Sequence, residues 1–148
     1  MNIFAENRQI FFEYEILETF EAGIVLFGYE TKAVKTGHIN LSGSFVAIKN
    51  EELFLTNADI PPYQPKNTPP EYDPRRSRKL LLHKAEIKSL IGKIKQKGLT
   101  LAPLKVYTQK GKIKLQFGIA KGKKTHDKRE TIKRREFNRQ KERALKNS

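Results

Sequence analysis

The sequence predicts a mainly β fold: a small antiparallel OB-like β-barrel with a few flanking helices and a basic C-terminal tail that is helical only when bound. Short apolar runs of period two alternate with turn residues, one segment has helical spacing, and the end of the chain is strongly basic. A closed sheet leaves no exposed edges, which favours a barrel for so many short strands.

The 148 residues fit one domain of ordinary size. We divide the chain into a barrel at 1–120, which contains a proline-rich loop at 59–79, and a basic tail at 121–148.

The first predicted strands lie before the middle of the chain. Apolar residues alternate over 10–16, which is the period of a half-buried strand. Residues 24–27 are apolar on every side, so period alone does not separate a strand from a buried helix. Gly28 and residues 29–32 favour an extended continuation.

A hairpin and a loop follow. Thr36-Gly37 interrupts the pattern, and residues 45–48 and 53–57 flank Asn50-Glu51-Glu52 as two strands around a turn. Six of the seven prolines lie between Asp59 and Pro74. Proline donates no backbone hydrogen bond, which makes this segment a loop.

One segment is predicted to be a helix. Ile87, Leu90, Ile91 and Ile94 have the spacing of one helical face. His83 and Glu86 have the spacing of a capping box, although His is a poor cap, and Gly98 is placed to end the helix in the left-handed region.

Two strands complete the predicted barrel. In the first, the apolar phase shifts around Pro103, as a bulge requires, and Gly111 lies in the turn. In the second, the apolar residues face inward at Ile113, Leu115, Phe117 and Ile119. The polar residues that face outward between them are Lys112, Lys114 and Gln116.

The tail holds most of the excess charge. Residues 121–148 contain 12 Lys or Arg and 4 Asp or Glu, a net of +8 out of +14 for the chain. They carry few large apolar side chains, so we expect the tail to be disordered alone. Glu130 with Arg134 and Glu142 with Lys146 are favourable helical pairs, so we expect a helix on a polyanion. The alternative is a solvated tail that only aids solubility.

The composition favours a polyanionic partner, and nucleic acid leads over a membrane surface because no broad apolar helical face accompanies the charge. The chain has no cysteine, which excludes disulfides, cysteine-bound metals and thiol nucleophiles. The N-terminus lacks the apolar run of a signal peptide, so we expect a cytoplasmic protein.

Enzyme motifs are weak in this sequence. His38, His83 and His126 are far apart and show no metal-ligand spacing, so no metal or other cofactor is expected. Residues 118–125 resemble a Walker loop, but the glycines are one residue too close. No pair of carboxylates or nucleophile elbow is recognisable, so we expect a protein that is not an enzyme.

Several motifs together resemble the SmpB family of SsrA-binding proteins. They are Glu21-Ala22-Gly23-Ile24-Val25-Leu26, Asn40-Leu41 with Ser44-Phe45, Ile60-Pro61-Pro62-Tyr63, Arg78-Lys79-Leu80-Leu81-Leu82-His83-Lys84 and the stretch from Gly118 to Arg129. The resemblance covers nearly the whole chain.

The resemblance implies an RNA-binding adaptor of trans-translation in bacteria. Such a protein binds the tRNA-like domain of transfer-messenger RNA (tmRNA, or SsrA RNA) and delivers it to stalled ribosomes, where the tail enters the decoding centre and the empty mRNA channel. The implied partners are tmRNA, the small ribosomal subunit and the alanylated complex with elongation factor Tu, with the protein as a monomer.

The resemblance also places the site residues. The implied RNA-binding residues are Asn7, Arg8, Phe12, Glu21, Arg78, Lys79, Leu81 and Lys114. In the tail, the implied ribosome-binding residues are Gly122, Lys123, Lys124, His126, Asp127, Lys128, Arg129, Lys133, Arg134 and Arg135. On sequence alone, a buried partner for Glu21 and a core position for Leu81 are equally compatible with the pattern.

One motif departs from the family. Phe12-Glu13 stands where the family often has His and Asp before Tyr14, a change that permits stacking but removes the hydrogen bond of the usual His. The competing hypotheses are a generic OB-type RNA-binding or ribosome-associated protein and an RNA-modifying enzyme.

Overall fold

The computed structural model describes residues 1–95 and 98–123. The strands are β1 (Ile3–Glu6), β2 (Tyr14–Ile24), β3 (Phe45–Lys49), β4 (Glu52–Thr56), β5 (Arg78–Leu81), β6 (Leu99–Gln109) and β7 (Lys112–Gly122). The helices are α1 (Ile10–Glu13), α2 (Gly28–Lys35) and α3 (Lys84–Lys93), with a short 3-10 turn at Pro65–Asn67.

The seven strands form one antiparallel sheet in the order β1-β6-β7-β2-β5-β4-β3. Strand β3 lies next to β6, so the sheet curves back on itself around the apolar core. The predicted fold class, a mainly β antiparallel architecture with few helices, is therefore confirmed.

Strand β7 forms the centre of the core. Leu115, Phe117 and Ile119 are buried while Lys112 is exposed, as the alternation predicts. The Phe117 ring stacks on Phe20 of β2, with 5.7 Å between ring centroids. Full burial of a side chain of this size stabilises the fold by about 1.5–3 kcal/mol.

Two tight turns hold neighbouring strands in register. Asn50 and Glu51 have φ angles of 52° and 60° between β3 and β4, and Lys110 and Gly111 have 51° and 75° between β6 and β7. Two consecutive positive φ angles fit the right-handed twist of a hairpin. Both predicted turns are confirmed, as is the irregularity near Pro103, where the register of β6 against β7 shifts.

The predicted strand over residues 10–16 is only partly correct. Residues 10–13 form the short helix α1, in which the Phe12 N–H donates to the Gln9 carbonyl at 3.0 Å. A single turn is too short for period to distinguish it from a strand. From Tyr14 the chain is extended, with Tyr14 and Ile16 half-buried and Leu17 exposed.

The predicted extended segment after Phe27 is wrong, because residues 28–35 form α2. The Phe27 N–H donates to the Glu30 carboxylate at 2.8 Å, which satisfies one of the free donors at the start of the helix. The helix ends at Lys35, and Gly37 just after it has a φ of 84°. The interruption predicted at Thr36-Gly37 is confirmed.

The predicted helix α3 is confirmed, with Leu90 fully buried. Its predicted end is wrong. Gly98 has a φ of 88°, but α3 stops at Lys93, so this glycine turns the chain into β6 instead. His83 precedes the helix without a side-chain capping bond.

Two strands are not evident in the sequence. Strand β1 is short, and β5 begins at Arg78, inside the predicted loop. In addition, β7 continues through Gly122, two residues beyond the predicted end of the barrel. Its last pairs are Lys121 with Glu15 and Gly122 with Tyr14.

Candidate nucleic-acid interface

Four of the implied RNA-binding residues lie on one outer face of the sheet: Glu21, Lys79, Leu81 and Lys114. Gly23 of β2 is paired with Leu81 of β5 on one side and with Lys114 of β7 on the other, so Gly23, Leu81 and Lys114 share one row across the strands. Glu21 is two residues earlier on β2, and residues two apart on a strand share a face. The structure therefore brings Glu21, Leu81 and Lys114 together.

Leu81 is on the surface. Its side chain is 54% exposed, whereas Leu80 next to it is 2% exposed and lies in the core. The core position that the sequence left open for Leu81 is therefore excluded. An exposed leucine between polar residues can pack against an unstacked base or a ribose.

The carboxylate of Glu21 is held in place from β6. The Tyr107 hydroxyl donates to it, and the Gln109 amide, with its nitrogen turned toward the carboxylate, donates at 2.8 Å. Burial, and then the hydrogen bond to Glu21, raise the pKa of Tyr107 well above its usual value, so the phenol stays a donor. Glu21 itself remains exposed although Tyr107 contacts it, so its carboxylate can also accept a hydrogen bond from a base or a ribose hydroxyl.

A groove of about 340 Å³ lies beside this row. Gly23, Leu26 and Leu81 are among its lining residues, together with the three lysines Lys35, Lys112 and Lys114. The groove therefore combines apolar side chains with cations, the chemistry that an RNA backbone with an unstacked base requires.

Lys79 is exposed on the same outer face of β5, two residues before Leu81. Its Nζ lies 3.4 Å from the Glu52 carboxylate on β4. An exposed pair of this kind is worth less than about 1 kcal/mol, so Lys79 can exchange this partner for a phosphate.

Arg78 does not lie on this outer face, which contradicts the RNA-binding role implied for it. Its side chain is fully buried, with Nε and Nη2 donating to Glu30 of α2 at 2.9 and 2.7 Å. Nη1 donates to the Ala58 carbonyl at 2.6 Å. Arg78 has the same parity on β5 as the core residue Leu80, so its side chain points inward.

Glu30 is the centre of this buried cluster. Burial would raise its pKa, but hydrogen bonds from Arg76, the Phe27 N–H and Arg78 outweigh burial, so the pKa of Glu30 lies below its usual value. The Tyr72 hydroxyl lies 2.9 Å from Glu30, and burial, followed by that contact, raises the pKa of Tyr72 to about 12. The cluster joins α2, β5 and the proline-rich loop.

Of the remaining described residues of the prediction, Phe12 lies at the other end of the β2–β7 ladder, just before Tyr14, whereas Asn7 and Arg8 follow β1. Asn7 donates to the Pro103 carbonyl at 3.1 Å, and Arg8 is exposed with a 3.3 Å contact to Glu6. Phe12 is half-buried on α1. The structure therefore does not bring these residues next to Glu21.

The start of the predicted tail is fixed at the same end. Gly122 pairs with Tyr14, and the Lys123 N–H donates to the Glu13 carbonyl at 2.9 Å. The Lys123 Nζ donates to the Phe11 carbonyl at 2.9 Å. Lys124, His126, Asp127, Lys128, Arg129, Lys133, Arg134 and Arg135 lie outside the described residues.

Sequence reasoning missed the supporting residues of this face. Tyr107 and Gln109 orient Glu21, and Lys35 contributes to the groove from α2. Tyr107 could have been identified by pairing the predicted strands β6 and β7 around their turn, because Tyr107 then lies opposite Lys114. Lys35 is brought to the groove only by the fold of α2.

Over residues 1–95 and 98–123, no group of three or more His, Cys, Asp or Glu side chains is arranged to hold a metal ion. In the same part of the chain, every helix is too short or too polar to cross a bilayer.

Comparison with known proteins agrees with these features. The family model described as SmpB protein matches residues 4–147. The SsrA-binding protein of Thermosynechococcus vestitus is 50% identical over 146 residues, covering 99% of this chain and 96% of its own. That of Acaryochloris marina is 54% identical over 144 residues, covering 97% and 94%.

A solved structure is also similar. It is described as "tmRNA-SmpB: a journey to the center of the bacterial ribosome" and matches with a TM-score of 0.69 and 46% sequence identity. The match covers 89% of this chain and 95% of that one.

Proposed function

The chain belongs to the SmpB protein family, and we propose that it is the tmRNA-binding adaptor of trans-translation. It binds the tRNA-like domain of tmRNA, the SsrA RNA, and delivers it to stalled ribosomes. Relatives of the chain are SsrA-binding proteins, and one solved structure similar to it is a tmRNA–SmpB structure that concerns the bacterial ribosome.

The observation that carries this function is the outer face of β2, β5 and β7. Glu21, Leu81 and Lys114 lie together there, each with a different capacity: a fixed acceptor, an exposed apolar surface and a cation. Each of these groups has a counterpart in a folded RNA loop, where base edges, base faces and phosphates are all accessible.

The tail supplies the contact with the ribosome in this proposal. The basic segment that follows Lys123 enters the decoding centre and the empty mRNA channel, and forms a helix there. Support comes from its net positive charge and its helix-forming residues, since ribosomal RNA is a polyanion.

The protein works as an adaptor and forms or breaks no covalent bond. It acts in the cytoplasm as a monomer, in a complex with alanylated tmRNA and elongation factor Tu. These further statements rest on the family, whose members of known name are SsrA-binding proteins.

Affinity measurements test the proposal. We expect the full-length chain to bind tmRNA at least about 100-fold more tightly than bulk tRNA or duplex RNA at physiological salt, a difference of about 2.7 kcal/mol. Equal affinities for the three RNAs would indicate a generic basic RNA binder instead.

A matched pair of leucines locates the binding face. Leu81→Ala removes an exposed side chain, so we expect weaker tmRNA binding with little change in the melting temperature. Leu80→Ala opens a core cavity and should destabilise the fold by about 2–5 kcal/mol. If Leu81→Ala binds tmRNA like the wild type, this face is not the interface.

A further inference from the structure

Helix α2 contributes residues to two grooves on the surface. Lys35 lines the groove beside Leu81, and Lys32, three residues earlier on the same helix, lines a second groove of about 250 Å³. Tyr29 and Tyr63 also line the second groove, with the amides Gln64 and Asn67. Each groove thus receives one exposed lysine from the same helix.

The only carboxylate of α2 is turned away from both grooves. Glu30 is fully buried, and its charge is compensated by the ion pair with Arg78 and by Arg76. The surface that α2 presents is therefore cationic, although its sequence contains a glutamate. Arg76 lies with its guanidinium carbon 3.8 Å from the centre of the Phe27 ring, which holds the start of the helix from the outside as well.

Lysines converge on the first groove from two elements. Lys35 comes from α2, and Lys112 and Lys114 come from β7, with no carboxylate among the described residues that line this groove. Like charges that share a groove repel one another unless an anion lies between them. The second groove has the same bias, because Lys32 is its only charged lining residue among those described.

The helix dipole accounts for only part of this arrangement. Lysines in the last turn interact favourably with the C-terminal end of a helix. That effect explains why a lysine is favourable at position 35 of α2. It does not explain why Lys35 shares a groove with the two β7 lysines, or why Lys32 shares a groove with Tyr63, which is 38% exposed.

We propose that α2 is a second RNA-binding element, a cationic ridge on which Lys35 and Lys32 each contact a phosphate, one in each groove. The RNA passes from the row of Leu81 and Lys114 over the helix toward Tyr63, whose ring can stack on a base. The buried Glu30–Arg78 pair fixes the direction of the ridge. This inference rests on the RNA-binding function proposed above.

Salt dependence of tmRNA binding tests the ridge. We compare the full-length chain with Lys35→Gln, Lys32→Gln and the control Lys49→Gln, an exposed lysine at the end of β3 outside both grooves. Each ridge variant should lower the slope of log K against log salt by about 0.7–0.9, the value of one phosphate contact. Its affinity deficit should shrink about threefold between about 50 and about 200 mM salt.

Each outcome decides the question. If either ridge variant matches Lys49→Gln in affinity and slope, the RNA does not contact both lysines of α2 and the proposal fails. A lower melting temperature with unchanged RNA binding would assign these lysines to the helix dipole alone, which also overturns it. If the wild type itself does not prefer tmRNA, the adaptor function fails rather than the ridge.

Discussion

At the scale of single residues, the buried Glu30–Arg78 ion pair joins helix α2 to strand β5, whereas the exposed ion pairs lie at the surface. Its atoms are satisfied on every side: both carboxylate oxygens accept hydrogen bonds, and Arg78 also donates to the Ala58 and Pro74 carbonyls. Breaking such a pair leaves a charge without a partner in the protein interior, which is strongly destabilising.

We expect Glu30→Gln to lower the free energy of unfolding by about 3–5 kcal/mol at neutral pH. The matched control is Glu52→Gln, which breaks the exposed pair with Lys79 and should change it by less than about 1 kcal/mol. Urea unfolding of both variants measures the difference. Equal effects would mean that burial does not strengthen the pair.

The same pair predicts how stability depends on pH. The pKa of Glu30 is lowered from 4.5 in the folded protein, so its contribution is fully present above pH 4.5 and is lost as the pH falls through the folded pKa. The deficit of Glu30→Gln should therefore shrink in acid. Unfolding curves at several pH values below neutral check this sign.

The basic run of residues 75–79 shows what the sequence cannot tell at this scale. Arg78 and Lys79 are adjacent and similar, yet one is buried and the other is exposed. Their alternate positions on β5 decide which side chain points inward, but the prolines before β5 made this segment look like a loop in the sequence. For the same reason, the sequence did not distinguish a core position from a surface position for Leu81.

At the scale of elements, strands β2 and β7 approach very closely at Gly118. A β-carbon built there would lie 2.8 Å from the Glu18 carbonyl oxygen and 2.9 Å from Ile16 Cγ2. The register of β2 shifts between Ile16 and Glu18, so the bulge brings backbone against the glycine. Any larger residue must push the two strands apart.

We expect Gly118→Ala to destabilise the fold by about 1–3 kcal/mol, the usual effect of forcing extra volume into a packed interior. Gly92→Ala on α3 is the control, since a β-carbon there meets nothing within 4 Å and should stabilise the helix by about 0.5–1 kcal/mol. Thermal melts measure both. The two substitutions should change the melting temperature in opposite directions. If both raise it, β2 and β7 do not approach closely at Gly118.

Elements with a regular pattern were predicted well, and helix α2 shows one reason why others were not. Strand β7, the hairpin of β3 and β4, and α3 follow from local periodicity. Helix α2 does not, because its glutamate is bound by an arginine 48 residues later, a contact that no local pattern contains. In the candidate site, Glu21, Leu81 and Lys114 came from the family resemblance, whereas Lys35 and Tyr107 needed the fold.

At the scale of the whole molecule, the proposed function assigns tmRNA binding to the barrel and the ribosome contact to the basic tail. We expect truncation after Lys123 to keep tmRNA affinity within about tenfold of the wild type, about 1.4 kcal/mol, while abolishing peptide tagging on stalled ribosomes. Cutting there rather than after Ala120 preserves the last pairs of β7 and the bond from Lys123 to Glu13.

The opposite phenotype provides the control. The double variant Leu81→Ala with Lys114→Gln keeps the tail and should lose tmRNA affinity, which filter binding measures directly. If the truncated chain still supports tagging in a reconstituted translation system, the tail only adds charge and the proposed division is wrong.

The ladder between β2 and β7 fixes a distance. Lys114 lies at the end proposed to bind RNA and Gly122 at the other, and the eight steps between them span roughly 26 Å at about 3.3 Å each. Since paired strands hardly stretch, any assembly that holds the chain at both ends must accept this spacing. The ladder can be lengthened only by adding two residues to each of the two strands, because a single added residue would turn every later side chain to the opposite face of the sheet.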